Sequence, residues 1–234
     1  FIIDVPVPQE VPSGRLYGTI PIGIIIAKES IISICTKDVK ILTDLIKGRM
    51  KGFYTYKKTR IILQIMYKVA TYFLLYLKQI DRVSVQVERE LHKSMKNKEL
   101  IQLLSLEKSL VYFTTSLRAN EMVFEKMLRL DAVKKYPDDK ELLEDVIIEN
   151  KQAIEMANIY SNILSGTMDA FASVISNNLN IVMKVLTSIT IVMAIPTIIA
   201  SLFGMNVPVP FAANPMGFWI IIFIASVMSF LAAL

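Results

Sequence analysis

No Asp, Glu, Lys or Arg occurs after Lys184. Soluble domains are about 25% charged, so a charge-free tail of this length does not fit ordinary soluble surface. Cysteine is nearly absent as well. The single residue, Cys35, excludes an intrachain disulfide and any Cys-x-x-Cys zinc or redox motif. It lies in an apolar run and is expected to be a buried small hydrophobe. The one histidine, His92, cannot build a zinc site alone. No phosphate loop, His-Glu-x-x-His or nucleophile elbow is present, so an enzyme is the least expected class. Phe1 opens the chain without a methionine, a basic n-region or a cleavage site. The expectation is a chain without a signal peptide that begins inside a domain and stops inside a membrane span.

What is present is apolar residue, 53% of the chain. Two uncharged runs, residues 185–203 and 216–234, hold much of it. Nineteen helical residues rise roughly 29 Å, close to the hydrocarbon thickness of a bilayer. The reading is a two-span hairpin at the end of a domain of about 180 residues, long enough for its own core. The net charge of +5 is spread along the chain and reads as a solvated face. Lys184 borders the first span and the inter-span loop is neutral. The positive-inside rule therefore places the N-terminal domain in the cytoplasm.

Residues 1–36 read as strands, with the first apolar run stopped by Pro6, Pro8 and Pro12. Strands this apolar are expected to be covered by helices. Asp38 to Lys47 reads as a short helix, with Asp38 as N-cap and Gly48 as stop. Gly48 to Arg60 mixes basic residues with Phe53, Tyr54 and Tyr56; a loop facing water is the simpler reading than a nucleic-acid surface. Thr59 to Leu91 and Asn97 to about Lys134 read as a helical hairpin, broken at Pro137. Met95, Met122 and Met127 read as core filler.

From Asp138 the helical period runs to Phe203, about 66 residues or roughly 100 Å if unbroken. One heptad seam is Leu143, Asn150, Ala157, Leu164, Phe171 and Asn178. The other is Ile147, Ile154, Ser161, Met168, Ile175 and Val182. The polar entries suit a wide bundle with a wet centre rather than a dry zipper. The same period enters the membrane. Asn180, Thr187, Ala194 and Ser201 form one line, and Met183, Thr190, Thr197 and Gly204 the next. Such a stripe serves either close helix packing or the wall of an aqueous pore. Pro196 opens the backbone bond to Val192 and allows a mild kink.

The first span ends in Gly204-Met205-Asn206, preceded by Asn180-Ile181-Val182-Met183-Lys184-Val185-Leu186-Thr187. On these residues the chain resembles the CorA superfamily of divalent-cation channels and transporters. The resemblance covers roughly residues 38–234 and is specific between about 145 and 206. It implies a homopentamer, where the pattern of residues implies only more than two chains. It implies a selectivity filter at Gly204, Met205 and Asn206. It implies a pore lined by Asn180, Met183, Leu186, Thr187, Thr190, Ala194, Thr197 and Ser201, with Met183 and Leu186 as a hydrophobic gate. It also implies a regulatory metal site at Asp145 and an acid at the inner pore mouth, Asp169. The usual acidic partner of Asp145 would lie in sequence preceding Phe1. The chain departs from the family pattern at three places. Ala194 stands where a bulky constriction is common, Ser201 where glycine is common, and residues 207–215 carry no acid.

The expected fold is α+β: a cytoplasmic domain, a long helical hairpin and a stalk helix, followed by two transmembrane helices in an oligomeric, pentameric funnel. The expected divisions are residues 1–57 (the end of the α/β domain), 58–137 (hairpin), 138–184 (stalk), 185–203 (first span), 204–215 (outer loop) and 216–234 (second span). The expected function is a channel for hydrated Mg2+, with Co2+ or Ni2+ as further ions. Mg2+ serves as substrate and as cytoplasmic regulator, with no organic cofactor. The expected partners are further copies of the chain, divalent cations and the bilayer of the cell (inner) membrane, with no nucleic acid. The alternatives are a zinc transporter of the ZntB type, which shares the triplet, and a membrane-anchored regulator without transport.

Overall fold

The computed structural model describes residues 1–11, 14–49, 57–94, 97–211 and 214–233. Pro12, the aromatic residues Phe53, Tyr54 and Tyr56, and Met95 lie outside them. The chain forms two compact units, Phe1–Asp169 and Ala170–Leu234.

The first unit opens with an antiparallel sheet in the order β1-β2-β3, formed by Ile2–Val11, Gly14–Ile26 and Ile31–Cys35. Ala27 N–H donates to Ser30 O and closes the turn between β2 and β3. Pro6 and Pro8 do not stop β1, contrary to the sequence expectation; the strand runs through both. Phe1 and Ile24 exchange backbone bonds, so odd positions of β1 face β2. Even positions face outward, as Asp4 does, and there a proline forfeits no ladder bond. Asn120 occupies that edge. Its Oδ1 accepts from Asp4 N–H and its Nδ2 donates to Asp4 O, both at 2.8 Å.

Ile3, Val5, Ile20, Ile22 and Ile24 are buried on one sheet face. Ile2, Ile25, Ile32 and Ile34 sit on the other and are exposed, so at that end of the sheet helical cover is one-sided among the described residues. Cys35 is not the buried hydrophobe expected. It is partly exposed, and its Sγ lies 3.8 Å from Pro21 O.

Helix α1, Lys40–Ile46, is capped by Val39 with no side-chain bond, so Asp38 is not the N-cap. Gly48 does end it, at φ 64°, a left-handed conformation that favours glycine. Helices α2, Lys58–Ser94, and α3, Asn97–Met127, form the hairpin. α3 ends earlier than expected, and a short helix α4, Asp131–Lys134, follows.

Tyr17 of β2 joins sheet to hairpin. Its ring lies 5.5 Å from Tyr76 and 6.2 Å from Phe113, and its backbone N–H donates to Ser109 Oγ. Phe73 meets Phe113 edge-on at 5.0 Å. Each such ring, fully buried, contributes about 1.5–3 kcal/mol by area. Met127 is core, as expected, but Met122 is 61% exposed.

Helix α5, Pro137–Phe203, is continuous for 67 residues. Pro137 starts it, where the missing N–H is unneeded. Leu143, Asn150, Ala157 and Leu164 are buried, so this part of the heptad seam faces the core of the first unit, whereas Asn178 at its far end is exposed. The reading of Asn150 as part of a wet bundle centre is thereby corrected. Its Nδ2 donates to Leu117 O of α3 in the same chain. The second seam is covered less: Ile154 is buried, Ile147, Ser161 and Met168 are half-buried, and Ile175 and Val182 are exposed. Val146 and Ala153 accompany the first seam instead.

Candidate functional site

In the second unit α5 meets helix α6, Gly217–Ala233. α6 is shorter than a full span among the described residues, whereas α5 carries a long apolar window, with no buried residue, suited to a bilayer by length and composition. α2 passes the same test of length and composition, but more than half of its window is buried and it serves as core of the first unit. The less exposed residues of α5 near its end are Val192, Ala194, Ile195, Ile199 and Phe203. Those of α6 are Gly217, Ile220, Ile221, Ala225 and Ser229. Their spacing of about four residues marks the faces on which two antiparallel helices pack.

Gly204 follows the last turn of α5, and its N–H still donates to Ala200 O at 2.9 Å. Its φ is not left-handed, so what the glycine supplies at this point is room for the neighbouring carbonyls. A Cβ there would stand 3.2 Å from Ala200 O and 3.6 Å from Ser201 O. Met205 is 54% exposed and Asn206 is exposed.

The far side of the loop is more constrained than its sequence indicates. Phe211 adopts a φ of 66°, which is rare for an aromatic residue. Its carbonyl accepts from Asn214 N–H, and Asn214 Oδ1 accepts from Met216 N–H. A Cβ on Gly217 would fall 2.5 Å from Phe211 O. An Asn-Pro-Met-Gly run was the available signal for this turn.

Asn180, Met183, Leu186, Thr187, Thr190, Thr197 and Ser201 are exposed on the single chain, and Ala194 is half-buried. Thr190 Oγ1 donates to Leu186 O and Thr197 Oγ1 to Met193 O. With the proton committed to the backbone, each hydroxyl oxygen retains lone pairs that can accept from water.

Asp145 and Asp169 are both exposed on α5. They stand about 36 Å apart along the helix and cannot share an ion. Among the described residues, no three His, Cys, Asp or Glu side chains gather into a metal-holding group. Of the other stalk acids, Asp139 is committed elsewhere. It is buried, with Oδ1 3.3 Å from Arg60 Nη1.

Sequence reasoning also missed a polar latch between α1 and α2. Tyr72 donates its phenolic O–H to Asp44 Oδ2 at 2.6 Å. That bond, aided by Arg49 and Lys40, holds the Asp44 carboxyl below its usual range against some desolvation. Burial first, then Asp44, raises the Tyr72 phenol.

A family model described as "CorA-like Mg2+ transporter protein" matches residues 1–234. The cobalt/magnesium transport protein CorA of Methanocaldococcus jannaschii is 30% identical over 217 residues, 87% of this chain and 66% of that protein. The chain thus spans just under two thirds of that relative's length. The complete structure of the CorA magnesium transporter from the same organism superposes with a TM-score of 0.80 at 24% identity, over 99% of this chain and 74% of that one. The ZntB cytoplasmic domain of Vibrio parahaemolyticus gives a TM-score of 0.55 at 14% identity, over 77% of this chain and 69% of that one. At these identities the two structures establish the fold alone.

Proposed function

The chain belongs to the CorA-like Mg2+ transporter family, and from that premise we propose that copies of it assemble into a gated membrane channel for hydrated Mg2+. The observation that carries this reading is the register of the uncharged half of α5. One polar stripe, from Asn180 through Thr187, Thr190, Thr197 and Ser201, leads to Gly204-Met205-Asn206. A hairpin that only anchors a domain has no need of that stripe.

Two spans cannot enclose a pore, so several copies contribute α5 around an axis. The exposed residues Ile148, Ile159 and Ile163, off the buried seam of α5, supply apolar surface for neighbouring copies. Five copies is the number that the family resemblance implies. The N-terminal unit lies in the cytoplasm and the loop on the outer side of the inner membrane.

Mg2+ dehydrates reluctantly. A ring of Asn206 amides and loop carbonyls hydrogen-bonds the hydration shell instead of stripping it. Co2+ and Ni2+ are the further ions this pathway takes. Because residues 207–215 hold no acid, cations are concentrated only weakly at the outer mouth. Further in, rings of Met183 and Leu186 close the pore by excluding water. Ala194 is too small to add a second ring. Asp169 marks the inner mouth. Asp145 and its counterparts bind cytoplasmic Mg2+ between subunits and bias the assembly toward the closed state.

The test is metal flux into proteoliposomes carrying the full-length protein, with Mg2+ and Zn2+ compared. Mg2+ uptake supports the reading. Uptake of Zn2+ alone replaces it with a zinc transporter, and no uptake by a folded assembly replaces it with an anchored regulator.

A further inference from the structure

Pro196 has no N–H, so the Val192 carbonyl lacks its helical partner. Residues four apart share a helix face, and that carbonyl therefore lies on the face Pro196 occupies. Pro196 lines a cleft of about 240 Å³ with Ile199, Ala200, Ile221, Ala225 and Ser226, which turns this face toward α6. Three residues beyond Ser226, on the packing face of α6, is Ser229. Its Oγ is buried and has no hydrogen-bond partner among the described residues.

Near the turn the packing faces hold Phe203 and Gly217, and farther from it Ile199 with Ile221; Pro196, itself exposed, joins Ala225 in lining the cleft. One further turn of each helix reaches Val192 and Ser229. A lone buried donor and a carbonyl deprived of its donor thus fall at one level of the hairpin. Inside a bilayer no water competes for either group.

We propose that Ser229 is a positioning residue for the pore-lining helix. When α5 bends at Pro196, the Ser229 hydroxyl donates to the Val192 carbonyl and latches the bend. The cleft beside Pro196 gives the space for that movement, and the bond is open in the conformation described here. The second span, which lines no pore, thereby sets the shape of the first. The flux arm of the test below rests on the channel reading; the latch itself does not.

The test is a double-mutant cycle on the full-length protein, with Ser229→Ala, Ser229→Thr, Pro196→Ala and the pair Ser229→Ala/Pro196→Ala. Melting midpoints are read in detergent and Mg2+ flux in proteoliposomes. Ser229→Ala is expected to lower the midpoint and change flux about threefold, the size of one interhelical hydrogen bond in a membrane. Ser229→Thr keeps the hydroxyl and should restore both. In the Pro196→Ala background Ser229→Ala should be silent, because the new N–H satisfies Val192.

An equal Ser229→Ala effect in both backgrounds, or none beside Pro196, overturns the latch. If Pro196→Ala does not fold, isotope-edited infrared of a labelled Val192 carbonyl decides. Its band should move to higher frequency in Ser229→Ala, and an unmoved band overturns the proposal. A wild type without flux but with coupled midpoints removes the channel reading and leaves the latch.

Discussion

Two glycines flank the same loop, and the structure assigns them opposite responses to a single methyl group. At Gly204 the added Cβ would lie 3.2 Å from Ala200 O, tight but within reach of a shift of a few tenths of an ångström. Alanine also gains about 0.5–1 kcal/mol over glycine in helical backbone. Angle strain of about 1 kcal/mol opposes it. The net change in stability from Gly204→Ala should therefore be under about 1 kcal/mol, while the methyl narrows the proposed filter and blocks flux.

At Gly217 the Cβ would lie 2.5 Å from Phe211 O, about 1 Å inside ordinary contact. The main chain must move, and Phe211 already sits at a φ of 66°. Gly217→Ala should lose about 2–4 kcal/mol, the range of a steric insertion into strained backbone. Thermal unfolding in detergent, with Mg2+ flux measured alongside, separates the two. Equal midpoints for Gly217→Ala and wild type would refute the loop geometry, and normal flux in Gly204→Ala would refute the glycine's place in the filter.

Replacing Met183 or Leu186 with Asn should make the pore leak, because a polar ring wets; unchanged flux in both variants moves the gate elsewhere on α5. Limited proteolysis of the full-length protein should show Mg2+-dependent protection that Asp145→Asn weakens, since the carboxylates at that level repel without a bound ion. Equal protection makes Asp145 a helix-surface acid only. The Asp44–Tyr72 latch gives a pH window with definite signs. Asp44 is depressed, so its contribution is lost as pH falls below about 4; Tyr72 is raised, so its contribution is lost as pH climbs above about 10. Amide protection across Lys40–Ile46 should fall at both ends, and in Tyr72→Phe at neutral pH, while α3 keeps its protection.

Periodicity made the helices legible. The hairpin, the unbroken α5 and the uncharged spans all follow from where apolar and charged residues recur. The prolines of β1 misled because sequence does not reveal which backbone edge of a strand is free. Asn150 misled because a polar residue on a heptad seam does not say which neighbour answers it. A helix of the same chain supplies that neighbour. Met122 and Cys35 were assigned inward from residue type, and the packing leaves both accessible. At the loop, Gly204-Met205-Asn206 was legible as a motif. The steric demand at Gly217 was not, since it arises from Phe211 approaching in space. Ser229 carried no signal at all until the packing face of α6 was known.

The central claim is that the amide of Asn206, the one polar side chain of the triplet, holds hydrated Mg2+ at the mouth of a pore. The most direct measurement compares Mg2+ uptake by proteoliposomes carrying wild type and Asn206→Ala, both shown by size and melting midpoint to assemble alike. The account predicts uptake in the wild type and its loss, by at least about tenfold or 1.4 kcal/mol, in Asn206→Ala. Equal uptake by the two proteins would contradict it.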